Sequence, residues 1–107
     1  MFTYQADVYN VVDGDTVDVM VDLGFKMYSK QRIRLAGIDT PERGQPGFTE
    51  AGDRLRALVL NKRVRLVTTR ASKWGYFLGE LYVDDANVNS IMLLEGLAKP
   101  YNGGTKE

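Results

Sequence analysis

A chain of 107 residues, 44% hydrophobic and 26% charged, is long enough for one self-sufficient core and too apolar to stay disordered. It contains no cysteine and no histidine, which excludes disulfide scaffolds, thiolate metal sites and imidazole acid–base chemistry. Any metal is therefore expected on oxygen ligands, a set that suits calcium or magnesium and not zinc.

The first strand is predicted over residues 2–12, where Tyr4, Ala6 and Val8 alternate before the Tyr9–Val12 run. Asp13-Gly14-Asp15 breaks it, with Gly14 expected to supply a positive φ in a tight hairpin. Val17, Val19 and Val21 then alternate with Asp18, Met20 and Asp22, which predicts a second, antiparallel strand. After Leu23-Gly24, a third strand is expected from Met27 or Gln31 to Ile38, with Ile33 and Leu35 on one face and Arg32 and Arg34 on the other. Thr40 precedes Pro41, so the chain leaves the sheet extended and the proline stops further pairing.

Arg43 to Gly47 is a loop by composition. Thr49 is expected to cap a helix whose Ala51, Leu55, Leu58 and Val59 fall on one stripe, ended at Asn61-Lys62. A fourth strand follows from Arg63, a loop from Thr69 to Tyr76, and a fifth strand from Phe77 to Val83. Asp84 to Asn87 reads as a turn, and Asn87 or Asn89 caps a second helix stopped by Gly96. Residues 97–107 are expected as a docked strand or coil with a loose tail from about 102. This order predicts a single domain over 1–107, mainly β with two helices: a five-stranded barrel of the oligonucleotide-binding (OB-fold) type.

Charge is unevenly spread along this order, although it sums to zero. Residues 1–53 hold five basic and nine acidic side chains, residues 54–73 hold seven basic and no acidic ones, and residues 74–107 hold two and five. The middle block (Arg54, Arg56, Lys62, Arg63, Arg65, Arg70, Lys73) reads either as a footprint for a polyanion or as a solvated helix face and strand. The acids concentrate at two strand ends, Asp13 and Asp15 at one, Asp39 and Glu42 at the other. If these strands are neighbours, four carboxylates meet and need a bound cation or a strong basic partner, for which Arg34 is the first candidate.

Val12 to Thr16, Arg34 to Glu42, Lys73-Trp74-Gly75, Leu78 to Tyr82, Val88-Asn89 and Glu95 to Ala98 together resemble the staphylococcal nuclease family, in order and spacing, over nearly the whole chain. The resemblance implies a calcium-dependent nuclease that hydrolyses phosphodiester bonds of DNA and RNA on an OB-fold barrel. It makes the carboxylates of Asp15 and Asp39 and the backbone carbonyl of Thr40 calcium ligands. Glu42 would orient or deprotonate the attacking water, Arg34 would bind the scissile phosphate, and Asp13 would be a nearby acid that shapes the site. Lys73 and Trp74 would contact the nucleotide's terminal phosphate, although Trp74 equally suits a loop anchor. Tyr101 lies close to where the family places tyrosines beside the base.

The family motif Lys, aromatic, Gly, Arg reads Lys73-Trp74-Gly75-Tyr76 here, so Tyr76 stands where the family has its second catalytic arginine. Losing one electrostatic donor implies a rate lower by at least about 10²-fold. Arg70 and Arg43 are loop cations that could reach the same phosphate. The chain also ends before the family's long third helix, which implies a shorter substrate groove. Two functions are thus expected in competition. One is a metal-dependent nuclease, monomeric, acting on single-stranded or frayed nucleic acid. The other is a nuclease-like barrel that has lost catalysis and binds nucleic acid or a protein. No stretch reaches the length of a membrane span and the N-terminus shows no signal-peptide pattern, so a cytoplasmic, non-membrane protein is the default expectation.

Overall fold

The period-two stretches become strands of one closed sheet. The computed structural model describes residues 2–71 and 75–101, without the Arg70 side chain. Chain order is β1 (Phe2–Asp13), β2 (Thr16–Asp22), β3 (Tyr28–Leu35), β4 (Ile38–Asp39), α1 (Phe48–Val59), β5 (Arg63–Ala71), β6 (Phe77–Val83), β7 (Ala86–Asn87), α2 (Val88–Leu94) and β8 (Lys99–Pro100). β1, β2 and β3 form an antiparallel meander, and β5 and β6 extend it from the far side of β1. A parallel pairing of β3 with β6, Ile33 opposite Phe77 and Leu35 opposite Gly79, closes the five-stranded barrel. This is the expected OB-fold architecture, mainly β with two helices. Among the described residues, no helix is long and apolar enough to cross a membrane.

Alternation places Val8, Val17, Val19, Ile33 and Leu66 inside the barrel, where Ala51, Leu55 and Val59 of α1 complete the core. At Gly79 a Cβ would lie 2.8 Å from Leu66 Cδ1 and 3.1 Å from the Val67 carbonyl, so β6 lies this close to β5 only because no side chain is there. Gly14 follows the same logic. The expected positive φ is absent at Gly14, which is not among the positive-φ residues. A Cβ there would instead meet Ala51 Cβ at 2.7 Å and Thr40 Oγ1 at 2.9 Å, so this glycine lets α1 and the 38–41 segment close over the hairpin.

Helix starts also differ from expectation. Gly47 is the cap of α1, with φ 91° and no side-chain hydrogen bond, and Thr49 falls one residue inside the helix. Asn87 caps α2 by accepting from the Ser90 N–H at 3.0 Å, while Asn89 is buried for another purpose. The chain folds back after α2 so that β8 pairs with β4, Lys99 opposite Asp39.

The basic block is tied to acids rather than presented as a uniform surface. Arg54 grips Glu95 at 2.7 Å, Arg56 donates to Asp53, Arg63 reaches Asp7 and Asp22, and Arg65 approaches Asp85 while stacking over Tyr82. On the barrel wall the buried carboxylate of Asp18 accepts from the exposed Arg32 Nε at 2.8 Å and from Asn10 Nδ2 at 3.0 Å. The Arg32 hydrogen bond, reinforced by Asn10, holds the Asp18 carboxyl below its ordinary 3.8. A depressed folded value stabilises the fold above the unfolded pKa and is lost as pH falls through the folded one. Asp18→Asn is therefore expected to melt at lower temperature than the natural chain at pH 6, with the difference shrinking toward pH 2. Thermal melts across that range check it; a difference independent of pH would show that the charge of Asp18 contributes nothing.

Candidate active site

The β1–β2 hairpin and the exit from β3 deliver their polar residues to one place. Asp15, in the two-residue turn, is fixed on several sides: its N–H donates to Asp13 Oδ1 at 3.1 Å, and its Oδ1 accepts from Thr16 Oγ1 at 3.0 Å. Its Oδ2 accepts from the Thr40 N–H at 3.1 Å and faces Arg34 Nη1, also at 3.1 Å. Its carbonyl accepts from the Leu35 N–H at 2.8 Å, which ties the hairpin to the end of β3.

Arg34 is the centre of this arrangement. Its Nη1 donates to the Ile38 carbonyl at 3.0 Å, and its Nη2 to Asp39 Oδ1 at 3.4 Å. One guanidinium thus bridges carboxylates from two separate turns, with the Arg34 side chain 16% exposed and those of Asp15 and Asp39 10% each. The Tyr101 ring lies over it, 5.7 Å from Cζ, placed there by the β4–β8 pairing and by a bond from the Tyr101 N–H to the Gly37 carbonyl.

Asp13 and Asp15 differ in their electrostatics. Burial pushes Asp13 up, and the adjacent Asp15 carboxyl adds to the shift, to about 6. Asp15 moves the other way. Burial opposes its ionisation, but its interaction with the Asp13 carboxyl, the charge of Arg34 and the Thr40 N–H outweigh that and hold it below the usual range. Asp15 is the member of the pair that stays anionic and faces the arginine.

These groups open onto a cavity of about 330 Å³ lined by Asp13, Asp15, Arg34, Asp39, Thr40 and Glu42, with Arg43, Phe48 and Tyr76 completing its rim. A second cavity of about 460 Å³ shares Asp39, Thr40 and Pro41 with it and reaches Lys99. Glu42 is exposed on a loop closed by reciprocal bonds, its N–H donating to Gln45 Oε1 at 2.8 Å and its carbonyl accepting from the Gln45 N–H at 2.9 Å. Of the residues expected at the site, Asp15, Arg34, Asp39, Thr40, Glu42 and Tyr76 come together here. Lys73 and Trp74 lie outside the described residues. Arg43, expected as a loop cation able to reach the same phosphate, does line this cavity, and Phe48 carried no signal in the sequence, because it reaches the cavity through turns at Gly44 and Gly47.

All four acids line the cavity, but among the described residues no three of them gather in a cluster suited to a metal. The donor set that fits a cation is smaller: the Asp15 and Asp39 carboxylates, joined by one guanidinium, and Thr40, which follows Asp39 and donates its N–H to Asp15. The Thr40 hydroxyl oxygen is buried without a hydrogen-bond partner and lies on the Gly14 side, against the packing of α1, so it is the Thr40 carbonyl that remains as a candidate donor. An all-oxygen set of this kind suits a hard divalent cation.

The family model described as "Staphylococcal nuclease homologue" matches residues 32–107. The chain belongs to this family of nucleases. Relatives include a micrococcal nuclease of Shigella flexneri, 33% identical over 92% of this chain and 59% of its own length. An uncharacterized endonuclease of Escherichia coli O157:H7 is 36% identical over 88% of this chain and 59% of its own. A staphylococcal-like nuclease of Arabidopsis thaliana is 31% identical over 86% and 32%. The chain therefore spans about three-fifths of the length of the first two. Within the staphylococcal nuclease frame, the five-stranded barrel is the platform, and the cavity at the β1–β2 turn and the β4 exit is its candidate active site.

Proposed function

We propose that the chain is a calcium-dependent nuclease that hydrolyses phosphodiester bonds of DNA or RNA, with single-stranded or frayed segments as its preferred substrate. The observation that carries this reading is the half-buried Arg34 guanidinium shared between Asp15 and Asp39 at a cavity of about 330 Å³. Asp15, Asp39 and the Thr40 carbonyl would hold the ion, which when bound offsets the clustered charge and polarises a phosphoryl oxygen. Arg34 turns its fork toward the phosphate from a position already fixed by backbone carbonyls, so little is lost in ordering it. Glu42, exposed on its closed turn, accepts a proton from the attacking water. The water oxygen then bonds to phosphorus, and the ester oxygen opposite leaves and takes up a proton from solvent. Tyr101 and the second cavity beside Lys99 supply an aromatic face and a cation along the path of the adjoining nucleotide.

One observation favours a second reading. Tyr76 lines the cavity where the family pattern has an arginine, which suits a barrel that binds nucleic acid or a protein without cutting. A fluorophore-labelled oligonucleotide incubated with calcium and with chelator separates the two. The nuclease reading expects cleavage that requires calcium and disappears in Asp39→Ala. Binding without cleavage by the natural chain, with cutting only in Tyr76→Arg, would establish the binding module instead.

A further inference from the structure

Catalysis of phosphodiester hydrolysis has to offset charge on more than one oxygen. Arg34 is already committed to two carboxylates and two carbonyls, and Tyr76 brings only a neutral hydroxyl to the rim. Among the described residues lining this cavity, the other cation is Arg43. Its guanidinium lies over the Phe48 ring, 5.3 Å from the centroid, and no carboxylate within salt-bridge distance of it is found among the described residues. An arginine held by an aromatic face keeps its N–H donors available, whereas one held by a carboxylate spends them.

The loop that carries Arg43 is built to a definite shape. Gln45 closes it on both the N–H and the carbonyl of Glu42, and Gly44 and Gly47 take φ of 90° and 91°, which turn the chain into α1. Phe48, the first residue of that helix, is thereby set beside the residue five positions earlier. Arg43 and Glu42 are exposed neighbours in sequence that line the same cavity as the more enclosed Arg34.

We propose that Arg43 is the second phosphate-binding guanidinium of this site, acting from the 42–47 loop in place of the arginine that the family carries at the position of Tyr76. The inference rests on the nuclease reading above and adds to it. Arg34 holds the scissile phosphate from its more enclosed position, and Arg43 engages its oxygens, or those of the adjoining phosphate, from the loop. Phe48 is the positioning residue that keeps the guanidinium plane facing the cavity.

The test compares the natural chain, Arg43→Gln, Tyr76→Arg, the double variant and Lys26→Gln, a charge loss on the distant β2–β3 turn. Two readouts are taken: calcium-dependent cleavage of a labelled single-stranded oligonucleotide, and its binding by anisotropy in chelator across a salt series. Arg43→Gln is expected to cut about 10²-fold more slowly and to lower the salt slope of binding by about one phosphate contact. Lys26→Gln changes neither. Tyr76→Arg is expected to recover most of the lost rate in the Arg43→Gln background, because the two arginines serve one need. Equal cleavage and binding by Arg43→Gln and the natural chain would overturn the proposal, as would an identical fold-loss from Arg43→Gln with or without Tyr76→Arg. If no variant cuts, the nuclease reading fails by itself and the binding arm decides: an unchanged salt slope in Arg43→Gln refutes the phosphate contact, and a reduced one retains it.

Discussion

Arg34→Gln is expected to cut about 10²- to 10³-fold more slowly at saturating oligonucleotide, and in chelator to unfold at distinctly lower urea concentration. The two effects share one origin. The guanidinium that would meet the phosphate is also the counter-charge of Asp15 and Asp39, each with a side chain only 10% exposed. Removing one partner of a buried ion pair leaves the other uncompensated, at a cost of about 3 kcal/mol for groups this enclosed. Glutamine keeps one amide donor for a backbone carbonyl but brings no charge. Added calcium is then expected to stabilise the variant more than the natural chain, since a bound cation replaces what the arginine supplied. Urea melts with and without calcium, beside single-turnover cleavage, check both halves. A variant as stable as the natural chain in chelator would mean that the arginine does not offset those carboxylates; one that cuts at the natural rate would remove Arg34 from the chemistry.

Much of the barrel is legible because a half-buried strand must alternate. β2 and β6 fall where Val17-Val19-Val21 and Phe77–Val83 place them, and the α1 stripe of Ala51, Leu55 and Val59 is buried as its spacing requires. What alternation cannot show is which non-consecutive strands meet. The parallel closure of β3 on β6 and the return of β8 to β4 depend on contacts between segments more than forty residues apart. Glycine was legible as punctuation but not always for the right reason. At Gly14 the constraint is crowding by Ala51 and Thr40 rather than a left-handed backbone, and nothing local to Asp13-Gly14-Asp15 announces a helix forty residues later. The cap of α1 was misplaced because Thr49 offers a side-chain oxygen, whereas the observed boundary is fixed by the turn at Gly47, whose missing Cβ leaves room for Pro41 at 3.2 Å.

The site divides the same way. Asp15, Asp39 and Glu42 sit at strand exits, where a local reading of charge suffices to suggest that acids gather, whereas Thr40 entered only through the family resemblance. The sequence offered Arg43 and Arg70 alike as loop cations, and only the turns at Gly44 and Gly47 put Arg43 over Phe48 on the cavity lining; the exposed basic block needed its acids, which arrive from residues 7, 22, 85 and 95. Of the seven cations in this acid-free block, the four arginines Arg54, Arg56, Arg63 and Arg65 are matched in space to carboxylates. That shifts the expected nucleic-acid contact from the block to the cavity rim.

Asn89→Ala is expected to destabilise the fold by about 2–4 kcal/mol, more than the loss of the α2 cap in Asn87→Ala, for which about 1 kcal/mol is usual. Asn89 is 4% exposed. Its Nδ2 donates to the Ala36 carbonyl at 2.8 Å and to the Gly79 carbonyl at 3.2 Å, and its Oδ1 accepts from the Leu81 N–H at 3.3 Å. Ala36 follows β3 and Gly79 and Leu81 lie on β6, so one side chain on α2 joins both strands of the barrel closure. Alanine removes three bonds at once, two of them buried at Gly79 and Leu81, whereas the cap bond of Asn87 is exposed and water can take its role. Asn89→Asp should separate hydrogen bonding from packing, because its volume is the same while its carboxylate faces two carbonyls. It is expected to be at least as damaging as alanine at pH 7 and to recover in part as the pH falls and the carboxyl protonates. Urea midpoints for the three variants at two pH values are the measurement; an Asn89→Ala loss no larger than that of Asn87→Ala would show that the barrel closes without this side chain. Because Ala36 is only two residues from Arg34, the same loosening is expected to reach the candidate site, lowering cleavage even where the variant remains folded.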